Sequence, residues 1–362
     1  MERITRFFRE EAVLSCLLIA FILLTVFVPG HILEYHTYID YRTMVTLLAL
    51  IIAATGIKRS GYLDAAARHM LKGIRDERML AAFMSAMSVV LSMFLTNDIA
   101  LFIVVPLTVS MQKVLKNDLT KIVIFEAIAV NAGSTLTPIG NPQNLFVWNG
   151  WGISFLKFTA EMSMPFIVMF CGLGALILAA VRPHGLKLNS EKEREPVVKK
   201  LGIISFALMA AFILSLQFGA GVYMLPVILF VYLFLYPAVL KEIDWLLLLT
   251  FVFMFIDFSL LAKAPALQSL FSRLDLSGPG RAYMTTALLS QVISNVPASI
   301  FVSKFSGNWK AIAYGADVAG NGIIIGSLAN IIAIRLLKPA GKTVLLEFHA
   351  YSIPFFIVKT AV

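Results

Sequence analysis

Charge is what this chain has least of: 14% of its 362 residues are Asp, Glu, Lys or Arg, against 59% hydrophobic. The longest polar stretch between apolar runs, Arg182 to Lys200, has the length of a loop, so no soluble domain of any size fits in the sequence. Cysteine is nearly absent. Cys16 and Cys171 both lie inside apolar runs, which excludes a disulfide framework or thiolate metal centre and predicts packing roles. The histidines are scattered with no ligand-spaced pair, so no metal site is expected. Gly-x-Ser-x-Gly, His-Glu-x-x-His and Gly-x-Gly-Asp patterns are missing, as is any glycine-rich phosphate loop. Their absence argues against an intramembrane hydrolase and against nucleotide-driven work.

Apolar windows of membrane-spanning length recur from end to end instead, near 12–29, 43–57, 122–150, 161–182, 199–217, 222–240, 244–262, 310–337 and 344–362. The sequence therefore predicts an all-α polytopic membrane protein, residues 1–362 forming one membrane domain. The segment MERITRFFRE and the apolar run to Pro29 lack the small-residue cleavage site of a removable signal peptide and predict a retained first span. Two further apolar segments, 77–115 and 281–306, are interrupted by Thr96-Asn97-Asp98 and by Ser294-Asn295-Val296-Pro297. Each is a pair of spans or a re-entrant helical hairpin, and either option returns the chain to the side it entered from.

The net charge of +9 is dispersed over short loops rather than along one face, which speaks for topology and against a nucleic-acid partner. Most of the 30 lysines and arginines fall on one side: Arg3, Arg6 and Arg9, those in 58–80, Lys113, Lys116 and Lys121, those in 182–200, Lys241, Arg335, Lys338 and Lys342. The positive-inside rule then places the N-terminus in the cytoplasm. Together these features predict a multi-pass protein of a prokaryotic cytoplasmic membrane. Gly61 to Arg78 carries Tyr62, Leu63, Met70, Leu71 and Ile74 among Arg68, Lys72 and Arg75, a pattern that predicts an amphipathic surface helix.

An internal repeat carries the functional signal. After Thr96-Asn97 the next span contains Ile139-Gly140 and Asn144; after Ser294-Asn295 the next span contains Ile325-Gly326 and Asn330. Each half reads hydroxyl-Asn, then Ile-Gly-x-x-x-Asn. Two spans precede each interrupted segment and two follow it, which divides the chain into repeats over 12–182 and 222–362 joined by an extra span at 199–217. One added crossing inverts the second copy. Gly, Pro and Asn in mid-membrane break a helix, and the freed backbone groups must find protein, water or a solute. Half-helix N-termini present partial positive charge to an anion, while freed carbonyls and side-chain oxygens can hold a cation.

The runs Leu95-Thr96-Asn97-Asp98-Ile99-Ala100-Leu101 and Asn131-Ala132-Gly133-Ser134-Thr135-Leu136-Thr137-Pro138-Ile139-Gly140-Asn141-Pro142-Gln143-Asn144 resemble the ion transporter superfamily. That group includes arsenite permeases, sodium/proton antiporters of the NhaD kind, citrate transporters and divalent anion/sodium symporters. The resemblance covers nearly the whole chain, with a weaker second-half motif over Gly315 to Asn330 beside Ser294-Asn295. It implies re-entrant hairpins whose tips meet two broken helices near the membrane centre, and a scaffold domain that often makes a homodimer. A transport domain moves against that scaffold, elevator fashion. The symporters of the group have Ser-Asn-Thr at both tips, where this chain has Asp98 and Val296 in third position. An acid beside an anion is repulsive unless it carries a proton or pairs with a cation.

On this reading the substrate site draws on Thr96, Asn97, Ser134, Thr135, Thr137, Gly140, Asn141 and Asn144 from the first half. The second half supplies Ser294, Asn295, Asn321, Gly326, Ser327 and Asn330. Ionisable groups inside apolar segments are costly and point to coupling. Asp98, Asp257 and Asp317 are the expected ion-coupling residues, and Glu126 is a further buried acid that a hydroxyl or a cation could hold. No cofactor is expected; Na+ or H+ would be carried rather than retained. A channel would need a continuous polar path, and no span shows a polar face along its length. The expected function is a secondary active permease for a small anion, a carboxylate or an inorganic oxyanion, coupled to H+ or Na+. A Na+/H+ antiporter is the alternative.

Overall fold

In a computed structural model of the protein, residues 11–27, 29–187, 196–217, 220–264, 269, 274–337 and 342–361 are described. Arg3, Arg6, Arg9, Lys192, Arg194 and Lys338, which the topology argument used, lie outside them. The described residues are helical with no strand. Where the long apolar runs begin is set by short polar caps that accept an otherwise unpaired backbone N–H. Asp76 accepts from Met79, Ser154 from Lys157, Asp244 from Leu247 and Asn308 from Ala311.

In chain order the helices are α1 Ala12–Phe27, α2 Tyr35–Tyr38, α3 Tyr41–Arg59, α4 Tyr62–Leu71, α5 Glu77–Phe94, α6 Asn97–Val114, α7 Thr120–Ser134, α8 Pro142–Trp151 and α9 Phe155–Ala180. They continue with α10 Lys199–Gln217, α11 Gly221–Leu235, α12 Pro237–Lys241, α13 Trp245–Lys263, α14 Pro279–Ile293, α15 Asn295–Val302, α16 Trp309–Ala319, α17 Leu328–Leu336 and α18 Lys342–Ala361. The windows 122–150 and 310–337 are therefore not continuous helices. Each is a pair, α7 with α8 and α16 with α17, because Pro138 and Pro142 in one and Gly320 and Gly322 in the other disfavour an unbroken helix. The window 222–240 also divides, at Tyr236 before Pro237. The stretch expected to be one amphipathic surface helix, Gly61 to Arg78, is instead α4 followed by a break at 72–76 and the start of α5. Helix α4 packs on α6 with Ala67 and Leu71 buried, and Lys113 donates to Asp64 at 3.2 Å.

The polarity of the molecule is reversed relative to a water-soluble domain. Leu23, Val26, Met164, Leu178, Phe230 and Phe234 are exposed, whereas Ser85, Ser88, Thr108, Asn131, Asn144 and Asn330 are buried. Such a surface is stable only against lipid. Cys16 and Cys171, expected in the packed interior, are both exposed on it. Among the described residues, Glu77–Phe94, Asn97–Val114, Phe155–Ala180 and Thr343–Ala361 are each long and apolar enough to cross a bilayer. The chain is an integral, multi-pass, all-α membrane protein.

The segments around the two breaks have a definite direction. Asn117, just beyond α6, donates to Glu77 at the start of α5, and Lys116 N–H bonds Lys187 O at 2.9 Å, so α5 and α6 form a hairpin whose base meets the exit of α9. At the other end of the bundle Trp151 Nε1 donates to Gly307 O at 3.0 Å, which joins the end of α8 to the exit of the second hairpin, α14 with α15. The two hairpins thus open onto opposite ends. Their first arms are packed alike: Gly133 of α7 lies against Val89 and Ser92 of α5, and Gly315 of α16 against Tyr283 and Thr286 of α14. Around this group stands another, in which α1 packs on α13 and both α10 and α11 pack on α3.

Arg335 in the last turn of α17 joins the two groups. It pairs with Glu11 and donates to Asp244 at 3.3 Å, with all three side chains largely buried. Removing one member of a buried ion cluster strands the others, at a cost of about 3–5 kcal/mol. Arg335→Met is accordingly expected to lower the thermal unfolding midpoint of the detergent-solubilised protein by a large step. An unchanged midpoint would mean the carboxylates are already solvated.

Candidate functional site

Seven residues separate α7 from α8, and the polar side chains of this segment satisfy the backbone it frees. Asn141 caps α8 by accepting from Asn144 N–H at 2.8 Å, and it donates to Ser134 O at 3.3 Å. The Asn144 amide donates to Ser134 O, Thr135 O and Thr137 O at 3.3–3.5 Å. The tip of the first hairpin is tied in by Asn97 N–H to Gly140 O at 2.9 Å and by the Thr137 hydroxyl to Met93 O at 2.7 Å.

The second break is built the same way. Asn330 donates to Gly320 O at 2.8 Å. Gln291, near the tip of the second hairpin, donates to Ala319 O at 3.0 Å and accepts from Ile323 N–H at 2.7 Å. His349 of α18 accepts from Ile324 N–H at 3.1 Å. Both broken helices then bond across to each other. Asn141 donates to Asp317 Oδ1 at 3.0 Å, and the Ser327 hydroxyl donates to Asn131 Oδ1 at 3.0 Å. Asn131 also donates to Asn330 Oδ1 and Gly320 O, each at 2.9 Å, while Asn97 donates to Asn131 Oδ1 at 3.3 Å.

These bonds obey a register. Asn131 precedes Gly140 by as many residues as Asp317 precedes Gly326, and Asn141 and Ser327 each follow their glycine directly. Asn141 to Asp317 and Ser327 to Asn131 are therefore one contact made twice, with the halves exchanged. The packing is crossed in the same sense, α8 against α16 and α17 against α7.

A citrate transporter family profile matches residues 6–306. The chain belongs to that family. It is 37% identical over 335 residues to the Inner membrane protein YbiR of Escherichia coli, covering 92% of this chain and 89% of that protein. It is 34% identical over 309 residues to the Uncharacterized transporter MJ0456 of Methanocaldococcus jannaschii, covering 84% and 83%. A shorter likeness, 29% over 138 residues, links 36% of the chain to 16% of the mouse P protein. The protein is a membrane transporter and not an enzyme.

In this transporter the network draws together Asn97, Ser134, Thr135, Thr137, Gly140, Asn141, Asn144, Asp317, Ser327 and Asn330. The Asn321 amide donates instead toward Met169 Sδ at 3.5 Å. Gly326 packs against Ala319 O, where an added Cβ would lie at 2.7 Å. Thr96 caps no backbone group through its side chain, and Asp98 Oδ1 has no donor. The Ser294 side chain bonds only its neighbour Asn295, at 3.4 Å, and the residue has φ of 69°, the single non-glycine residue at positive φ among those described. Its ψ of 157° lies in a region otherwise left to glycine, and strain of this kind collects at ligand clamps. Asp257, on α13, is buried with neither carboxylate oxygen bonded and takes no part in the network.

Sequence reading missed four participants: Asn131, Gln143, Gln291 and His349. Asn131 could have been found from its register with Asp317. Gln143, like Asn131, stands in the family-like run of the first half, whereas Gln291 and His349 carry no such mark, since their partners are backbone groups in other segments.

Donors and acceptors are unequally used. Asp317 Oδ1 accepts from Asn141 and from Gln143, each at 3.0 Å, while Asp317 Oδ2, Gln143 Oε1, Asn144 Oδ1 and Asn321 Oδ1 are buried without a donor. The amide orientations are fixed by chemistry, because turning Gln143 would set its oxygen against a carboxylate and turning Asn144 would face three carbonyls. What remains bare at the centre is therefore oxygen. The N-termini of α6 and α8 meet there, bonded through Asn97 and Gly140, and α17 begins beside Ser327, which bonds Asn131.

Proposed function

We propose that this chain is a secondary active permease that carries a small anion, a carboxylate or an inorganic oxyanion, coupled to H+ or Na+. The observation that supports it best is the exchanged contact, Asn141 to Asp317 and Ser327 to Asn131. Two broken helices related in this way are two inverted repeats, and the opposite mouths of the hairpins agree with that relation. An inverted pair can hold a central site that faces either side of the membrane by nearly equivalent arrangements.

Positive ends of α6, α8 and α17 favour the anion, and the oxygens around Asp317 favour the accompanying cation. No arginine stands at either break, so amides, hydroxyls and helix ends make the anion contacts. Carriage follows an elevator path in which the hairpins and broken helices move against the group around α3 and α13. The protein works as a homodimer in the cytoplasmic membrane of a prokaryote, the hairpin base at Glu77 and Lys116 facing inward with the N-terminus. Citrate, carried in the family's description, is one of the carboxylates to test.

A Na+/H+ antiporter is the second reading, favoured by the excess of bare oxygen at the centre. Proteoliposomes on a solid-supported membrane, challenged with carboxylates and oxyanions under separate proton and sodium gradients, separate the two. The permease gives a current that requires one class of anion. Sodium-dependent proton movement with no added anion would establish the antiporter in its place.

A further inference from the structure

Away from the central network, α7 carries a second acid. Glu126 is completely buried; Thr108 of α6 donates its hydroxyl to Oε1, and Oε2 has no donor. Thr108 is also part of the wall of a cavity of about 180 Å³ shared with Gln112, Lys113, Leu119, Val123 and Leu337. That volume has room for several waters. The cavity lies where α6 ends, α7 begins and α17 ends, at the end of the bundle that holds the first hairpin's base. Glu126 stands five residues before Asn131 on one helix, about 7.5 Å along the axis at roughly 1.5 Å per residue. One hydroxyl thus links a cavity with room for water to the acid, and about 1.4 helical turns separate the acid from Asn131 at the centre.

We infer that Glu126 is a second proton-carrying site of this transporter, loaded from the end of the bundle at Lys113 through the Thr108 cavity; the inference rests on the permease reading for its role in coupling. A carboxyl with one donor and no cationic partner is an expensive arrangement in an apolar interior unless it serves a function. The charged groups on the surrounding helices do not supply a partner. On α7 itself Lys121 stands over the ring of Tyr351 of α18, which packs on Phe125; on α6, Lys113 bonds Asp64 and Asp98 stands at the hairpin tip; on α5, Glu77 bonds Asn117 and Arg78 donates to Val181 O. On α9, Glu161 pairs with Lys310 of α16, with Lys157 also on α9; Asp317 of α16 is held by Asn141 and Gln143. Arg335 of α17 pairs with Glu11 and Asp244, and on α18 His349 bonds Leu345 O and Ile324 N–H, with Glu347 and Lys359 on the same helix. None of them is bonded to Glu126. Three oxygens, the Thr108 hydroxyl and the two of the carboxyl, are too few for a hard metal cation, which takes about six. A proton needs only one.

Dicyclohexylcarbodiimide tests this directly, because a protonated carboxyl in an apolar setting adds across its N=C bond to leave an acylurea. Mass mapping of the full-length protein in detergent is expected to find an adduct at Glu126 and to lose that one adduct in Glu126→Gln, whatever happens at the other buried acids. Glu126→Gln is further expected to keep the KM for the carried solute while losing the pH dependence of the rate. Thr108→Ser, which keeps the hydroxyl, should match the wild type, and Thr108→Val should alter both the labelling rate and the pH profile. No adduct at Glu126 at any pH, or a wild-type pH profile in Glu126→Gln, would overturn the inference. Labelling reads the acid whether or not any solute in the panel is carried, so failure of the permease reading is a separate result.

Discussion

Asp317→Asn is expected to abolish coupled transport while leaving the protein folded. The replacement keeps the size of the side chain and one oxygen able to accept from Asn141 and Gln143, both now at 3.0 Å, so the link between the broken helices survives. What it removes is the charge, and with it the carboxylate oxygen that has no donor, in a centre where Gln143 Oε1 and Asn144 Oδ1 also lack one. An amide N–H2 there is a donor among acceptors and can neither accept a proton nor balance a cation. Current driven by a proton or sodium gradient should fall to background with the melting temperature nearly unchanged. Asp98→Asn removes the other acid beside the breaks and is expected to act in the same direction. Wild-type current with unchanged pH and sodium dependence in both variants would sink the coupling role.

Gly140→Ala is expected to damage both folding and transport severely. An added Cβ would lie 2.3 Å from Ser134 O and 2.8 Å from Ser134 Cα, both backbone atoms. The chain has little room to yield, because Gly140 O accepts from Asn97 at 2.9 Å and the next residue caps α8. Overpacking of this kind costs about 1–3 kcal/mol, and relief by moving Asn141 would break the contact to Asp317. A lowered unfolding temperature together with loss of transport is the expected outcome. Gly174→Ala is the control, since nothing lies within 4 Å of the position its Cβ would take. Wild-type transport in Gly140→Ala would mean that the break has slack the structure does not show.

Several features of the site were legible because they are local. Gly140 with Asn144 and Gly326 with Asn330 are short-range patterns that make sense only where a helix must stop and its carbonyls must be satisfied from the next turn. Asp317 was conspicuous as an acid in an apolar run. Other participants were not legible, for a physical reason. Gln291 works by spanning Ala319 O and Ile323 N–H across the second break, and nothing in its own segment distinguishes it from a polar residue on an exposed arm. His349 stands alone in α18 and gains its role only because α18 passes the second break. Asp257 shows the converse. It too is an acid in an apolar run, and its helix packs on α1, α3 and both arms of the second hairpin, yet neither of its oxygens is bonded into the centre.

By itself the sequence determined the class of molecule: apolar runs, scarce charge and no soluble domain leave only an all-α chain in lipid, and the family motif makes it a transporter. It also determined where the helices must break, since proline, glycine and asparagine act on their own backbone. Only the tertiary structure decided which groups meet across those breaks. Asn131 with Ser327, Asn141 with Asp317, and Glu126 with Thr108 are pairs between helices, formed because polar groups in an apolar interior must find partners wherever packing brings them.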